Sequence, residues 1–267
     1  MMKKWIWYTV STIFILGISI FAYGFGQAIS IGIEVNQAPG IVQPAPEMTV
    51  EPQMVDGVLA MGDSLARGTG DETGEGFVGY VVRGLESSNG EPLPLYNIAV
   101  EGLGTQALLS QINDPQTREG IRSSSLILIS IGGNDLRAIE RVESTQRSQY
   151  FKDALDIYIG QLGEIIGIIR AENKGAPIVF IGLYNLDYSP SNQERSEYLI
   201  EWNQSTQKVL ESFEGTLFTP TYDLFKLNLE DYISADGLHP NSKGYAAIGD
   251  RILRNLGIGK MNMPNQY

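Results

Sequence analysis

Three short apolar runs limit what this chain can fold into: Val58 to Met61 (VLAM), Leu126 to Ile131 (LILISI) and Ile178 to Leu183 (IVFIGL). None contains a charge, and each is bounded by glycine or proline or runs into them. They are too short for helices and continuously apolar rather than alternating, which is the pattern of strands covered on both faces. Leu95 to Val100 and Leu217 to Thr219 read as two weaker strands. Between them lie stretches with apolar residues at helical spacing: Phe77 to Leu85, Thr105 to Ile112 with Thr105 as cap, about Tyr150 to Ala171, Glu194 to Phe213, and Ser242 to Leu256 with Ser242 as cap. Strands alternating with helices predict an α/β fold, a three-layer α/β/α sandwich around a central, mostly parallel five-stranded sheet.

The 267 residues divide on composition. Residues 1–33 carry Lys3 and Lys4 and then no charge from Trp5 to Ile33, which predicts one N-terminal transmembrane helix. The lysines put the amino terminus in the cytoplasm and the bulk of the chain outside it. A signal peptide cut near Ala22-Tyr23-Gly24, giving a secreted protein, is the competing reading. Residues 34–56, with Pro39, Pro44, Pro46 and Pro52, read as an extended linker, 57–258 as the folded domain and 259–267 as a tail. A formal charge of −12 argues against nucleic acid as a partner. The absence of cysteine excludes disulfides, thiolate metal sites and a cysteine nucleophile.

The first run ends in Gly62-Asp63-Ser64-Leu65, so a serine hydroxyl stands just past the carboxyl end of a strand, where open α/β sheets bind ligands. By itself this is also ordinary turn chemistry. The sole histidine, His239, is the only imidazole available to deprotonate that serine, and Asp236 lies three residues before it with Gly237 between. A carboxylate so placed can fold back onto Nδ1 and fix the tautomer. After the third strand, Asn134 follows two glycines and offers an amide donor; after the second, Gly102 offers a bare N–H. Tyr184 and Asn185 follow the fourth strand and are candidates for the substrate pocket. One histidine excludes a histidine-rich metal site, and no metal or cofactor is expected. The glycine-rich loop Gly68 to Gly76 fails the dinucleotide spacing and holds Asp71, Glu72 and Glu75, which repel phosphate; it is expected to form a flexible rim of the active site.

Four blocks in order, Gly62-Asp63-Ser64-Leu65, Asn97-x-Ala99-x-x-Gly102, Gly132-x-Asn134-Asp135 and Asp236-x-x-His239-Pro240, resemble those of the SGNH (GDSL) hydrolase family, lipases and esterases among them. The resemblance spans about residues 57 to 256 and implies a flavodoxin-like fold. It implies Ser64 as nucleophile, His239 as base and Asp236 as orienting acid, with the Ser64 and Gly102 N–H groups and the Asn134 amide as oxyanion hole. Many relatives carry Thr after the Leu of the first block, where this chain has Ala66, outside the catalytic set. The activity implied is hydrolysis of acyl or acetyl esters of lipid or carbohydrate. An acyl- or acetyltransferase on envelope polysaccharide and an anchored binding module without activity are the alternatives, and oligomeric state is not legible.

Overall fold

The structure, a computed structural model, describes residues 56–189 and 192–258. The chain divides into two units, Met1–Gln43 and Pro44–Tyr267, and every described residue belongs to the second. The expected anchor, most of the linker and the tail lie outside the described residues. Among the described residues no helix is long and apolar enough to cross a membrane.

Five strands, β1 (Val58–Gly62), β2 (Leu95–Asn97), β3 (Leu126–Ser130), β4 (Ile178–Ile181) and β5 (Thr216–Thr219), form one sheet in the order β2-β1-β3-β4-β5. All four pairings are parallel. The helices are α1 (Ser64–Arg67), α2 (Gly76–Asn89), α3 (Thr105–Ile112), α4 (Pro115–Ser123), α5 (Gly133–Arg137), α6 (Arg147–Glu172), α7 (Gln193–Leu210), α8 (Tyr222–Tyr232) and α9 (Ser242–Asn255). Strand side chains alternate between two cores, as a period of two requires. Leu59, Met61, Ile127, Ile129, Ile178 and Phe180 join Leu108, Ile121, Leu162, Ile166 and Trp202 from α3, α4, α6 and α7. Val58, Ala60, Leu126, Leu128, Val179 and Ile181 join Phe77, Val81, Phe225, Tyr245 and Ile248 from α2, α8 and α9. The expected three-layer sandwich is therefore present, with every residue of β1, β3 and β4 buried.

The second layer owes its closeness to two glycines. A Cβ on Gly84 of α2 would lie 2.4 Å from Leu253 of α9, and one on Gly249 of α9 would lie 2.4 Å from the Tyr80 ring of α2. At these crossings a side chain of one helix packs directly on the backbone of the other.

Several boundaries differ from expectation. β2 is assigned only to Asn97, yet Ile98 N–H and Val100 N–H still donate to the Ala60 and Gly62 carbonyls of β1, both at 2.9 Å, while the Asn97 side chain accepts from Ala99 N–H and donates to the Ala66 carbonyl. Thr105 is the first helical residue of α3 rather than its cap; Gly104 precedes it, and the Thr105 hydroxyl and N–H both donate to Asp135. At α9 the cap is Asn241, which accepts from Gly244 N–H at 3.0 Å, and Ser242 donates instead to Asp71 and Glu72. Helices α4 and α8 lie in segments where the apolar periodicity suggests none.

With strand order 2-1-3-4-5, the chain reverses direction between β1 and β3. The carboxyl ends of those strands are the topological switch point, where open sheets leave a crevice.

Candidate active site

The switch point opens on a very close strand approach. Gly62 pairs with Ser130, its φ is +121°, and a Cβ there would lie 1.8 Å from the Ser130 carbonyl oxygen. Only glycine fits. The tight passage lets Asp63 N–H donate to the Ser130 carbonyl at 2.9 Å, and the chain turns directly into α1. Asp63 caps that helix: extended, with Oδ1 accepting from Leu65 N–H at 3.1 Å. Ser64 is thus the first residue of a short helix, half-buried, with its backbone N–H free of any acceptor among the described residues.

The loop between α8 and α9 brings the other two groups. Ile233 and Pro240 form an antiparallel bridge, and Ser234 N–H donates to the His239 carbonyl at 2.8 Å, so the intervening residues make a closed turn. Within it Asp236 Oδ1 accepts from Leu238 N–H (2.7 Å), His239 N–H (2.9 Å) and the Ser234 hydroxyl (2.9 Å). Its Oδ2 lies 2.6 Å from His239 Nδ1. Partial burial pushes the Asp236 carboxyl up, but the bonds from the His239 ring and backbone, Leu238 and Ser234 outweigh it and hold the group well below the usual carboxylate range. An ionised carboxylate only accepts, so Nδ1 carries a proton and Nε2 is left as the acceptor. Nε2 lies 2.8 Å from Ser64 Oγ.

The loop carrying His239 is held from two sides. Tyr184, stacked on Phe225 with centroids 4.0 Å apart, donates its hydroxyl to the Leu238 carbonyl at 2.7 Å. Burial pushes the Tyr184 phenol far up, so it remains a donor. On the other side runs the glycine-rich loop. Asp71 accepts from Thr73, Gly76 N–H and Ser242, and Tyr245 donates to the Thr69 carbonyl at 2.7 Å. Gly70, with φ +91°, presses on the histidine: a Cβ there would lie 2.7 Å from His239 Cβ.

Asn134 shares a cavity with Ser64, whereas Gly102, in the loop after β2, does not line it. Gly102 has φ +76°, and its N–H has no acceptor among the described residues. Asn134, on α5, donates one Nδ2 proton to the Leu103 carbonyl at 2.9 Å, which ties α5 to the Gly102 loop and leaves its second amide proton without an acceptor. Asp135, next along, is spent on anchoring Thr105.

Ser64, Asn134 and His239 line one cavity of about 560 Å³, together with Tyr184 and Asn185. Of that pair, Asn185 has its amide engaged with the Asp187 backbone and Ser196, and Tyr184 with Leu238. Residues that sequence reasoning passed over include Asp63 and Ser130. Asp63 is 5% exposed and accepts from the Ser130 hydroxyl at 2.8 Å; burial pushes its carboxyl up to about 6, against the Ser130 and Leu65 bonds and the field of His239. The one available signal was Ser130 itself, the only polar side chain in LILISI. Among the described residues no cluster of His, Cys, Asp and Glu could hold a metal ion.

At the carboxyl edge of a parallel α/β sheet a serine, an imidazole and a carboxylate thus stand in hydrogen-bonded series. Comparison with known proteins narrows the reading. Residues 60–247 match the GDSL-like Lipase/Acylhydrolase family, and the chain belongs to that family. It is an ester-hydrolysing enzyme. The spore germination lipase LipC of Bacillus licheniformis is 31% identical over 208 residues, covering 76% of this chain and 96% of LipC. YpmR of Bacillus subtilis is 30% identical over 215 residues, covering 78% and 84%. Among solved structures, the lipase Lip_vut3 from a goat rumen metagenome superposes with a TM-score of 0.68 at 29% identity, covering 76% of this chain and 98% of that one. A single-residue mutant of the Geobacillus acetyl-xylooligosaccharide esterase Axe2 shares the fold, with a TM-score of 0.60 at 18% identity and coverage of 78% and 97%.

Proposed function

We propose that this chain cleaves carboxylic esters through an acyl-enzyme on Ser64. The supporting observation is the unbroken series Ser64 Oγ to His239 Nε2 at 2.8 Å and His239 Nδ1 to Asp236 Oδ2 at 2.6 Å. His239 takes the serine proton as Oγ bonds to the ester carbonyl carbon. The resulting imidazolium lies against an ionised Asp236, which orients it and lowers its cost. Collapse of the tetrahedral intermediate breaks the bond to the alcohol oxygen, which leaves with the proton from Nε2. Water then attacks the acyl-enzyme, giving its proton to His239, which passes that proton to Ser64 Oγ as the bond to the acyl carbon breaks and the acid departs. The Ser64 and Gly102 N–H groups and the second Asn134 amide proton carry no other acceptor and are assigned to the developing oxyanion.

A fluorophosphonate probe tests the reading. Ser64 of the intact chain should be labelled, and Ser64→Ala should abolish both labelling and p-nitrophenyl butyrate cleavage; an unlabelled, dispensable Ser64 refutes it. On the charge asymmetry around Trp5 to Ile33 we also propose that the domain is anchored outside the cytoplasm. Protease treatment of intact cells should then degrade it, and protection would count against that placement.

A further inference from the structure

We propose, resting on the esterase reading above, that Tyr184 is a positioning residue for catalysis: its hydroxyl holds the turn that carries His239 where Nε2 reaches Ser64. The tyrosine lines the cavity beside the serine, yet its one polar side-chain atom is spent on that turn.

The turn needs an outside hold because its own bonds are local. Ser234 N–H donates to the His239 carbonyl, Gly237 N–H to the Ser234 carbonyl, and Asp236 Oδ1 accepts from Ser234, Leu238 and His239. These bonds join Asp236 and His239 into one unit without fixing where that unit sits. Among the described residues, Ser234 to His239 hydrogen-bond outward at two points, His239 Nε2 to Ser64 and the Leu238 carbonyl to Tyr184. The Leu238 carbonyl and the His239 N–H belong to one planar peptide unit. Tyr184 holds its oxygen at 2.7 Å and Asp236 its nitrogen at 2.9 Å, so the plane from which the imidazole departs is fixed at both polar ends.

Tyr184 is itself firmly founded. Before it, Leu183 N–H donates to Asn203 Oδ1 and the Leu183 carbonyl accepts from Asn203 Nδ2, both at 2.8 Å, and Asn203 is a buried residue of α7. After it, the Asn185 amide donates to Ser196 of α7 at 2.8 Å. Gly182 N–H donates to the Thr219 carbonyl of β5, and the Gly182 carbonyl accepts from the Thr221 hydroxyl at 2.7 Å. The ring stacks on Phe225, a fully buried residue of α8. The tyrosine is therefore a strut from the carboxyl end of β4 to the turn, and it refers His239 to the same sheet whose first strand delivers Ser64. Removal of the hydroxyl leaves the ring, its stacking and the internal bonds of the turn in place, and frees the peptide plane before His239.

Tyr184→Phe in the full chain tests the inference, alone and combined with His239→Ala, read by p-nitrophenyl butyrate turnover and by the rate at which a fluorophosphonate labels Ser64. Per labelled site, kcat should fall roughly 3- to 10-fold, the factor that the net worth of one hydrogen bond allows, with KM unchanged and labelling slowed to a similar degree. In the His239→Ala background the substitution should change neither rate, because the tyrosine acts through the imidazole. A kcat per labelled site that does not move, even with a lower midpoint in urea, marks a merely structural hydroxyl and overturns the inference. A raised KM at constant kcat, or the same loss with and without His239, overturns it as well, and each of these outcomes leaves the esterase reading intact. An unaltered chain that cleaves no ester overturns the esterase reading itself, and this inference with it.

Discussion

Asp63 directly precedes Ser64 in the chain, is 5% exposed, and its carboxyl is pushed by burial from 3.8 up to about 6. The folded state therefore holds this proton to about pH 6, while the unfolded chain releases it near 3.8. Between those values the native state binds more protons than the unfolded one, so this group's contribution to stability is full below about 3.8, falls as pH rises and is lost above about 6. The interval corresponds to roughly 3 kcal/mol. Asp63→Asn removes the titration while its Oδ1 still accepts from Ser130 and Leu65. Other carboxylates also titrate in this range, so the informative quantity is the difference between variant and wild type in urea unfolding of the full chain. That difference should move in favour of the variant by about 3 kcal/mol between about pH 4 and pH 6 and then stay level. A difference independent of pH would refute the argument. The same variant should lose turnover, because the Asp63 charge interacts favourably with the His239 cation formed when the serine is deprotonated.

Asn134→Ala removes the proposed oxyanion donor together with the amide that holds the Leu103 carbonyl, and kcat on a short p-nitrophenyl ester should fall on the order of 10²–10³ with circular dichroism unchanged. Gly70→Ala puts a methyl group 2.7 Å from His239 Cβ at a backbone φ of +91°. It should lower kcat by displacing the imidazole, and an unchanged rate would show that the rim loop does not position it. Gly249→Ala drives a Cβ into the Tyr80 ring, outside the cavity that Ser64 lines, and should cost about 1–3 kcal/mol in urea unfolding.

What was legible in the sequence follows from how local each determinant is. β1, β3 and β4 were readable because burial on both faces writes itself into every residue of a short run. β2 is an exposed edge strand, so its regular assignment stops at Asn97 although Ile98 and Val100 N–H still bond to β1. Helix α4 buries only Thr117 and Ile121, so its apolar pattern is weak; the legible sign was Asp114 followed by Pro115, a cap and a first-turn proline. Helix α8 buries Phe225 and leaves Leu227 80% exposed, which breaks the periodicity.

The site divides along the same line. Asp236 and His239 are three residues apart, so their bond is a local event that spacing can suggest. The bond from His239 to Ser64 spans 175 residues, yet it was still inferable, because a chain with one histidine offers one choice. Asp63 and Ser130, 67 residues apart, had no such scarcity to mark them. Their meeting depends on Gly62 and Ser130 standing in register across β1 and β3, and register is a property of the assembled sheet. The carboxylate that departs most strongly upward from ordinary carboxylate behaviour thus owes its setting to sheet register and not to local spacing, although it sits inside the Gly62-Asp63-Ser64-Leu65 motif.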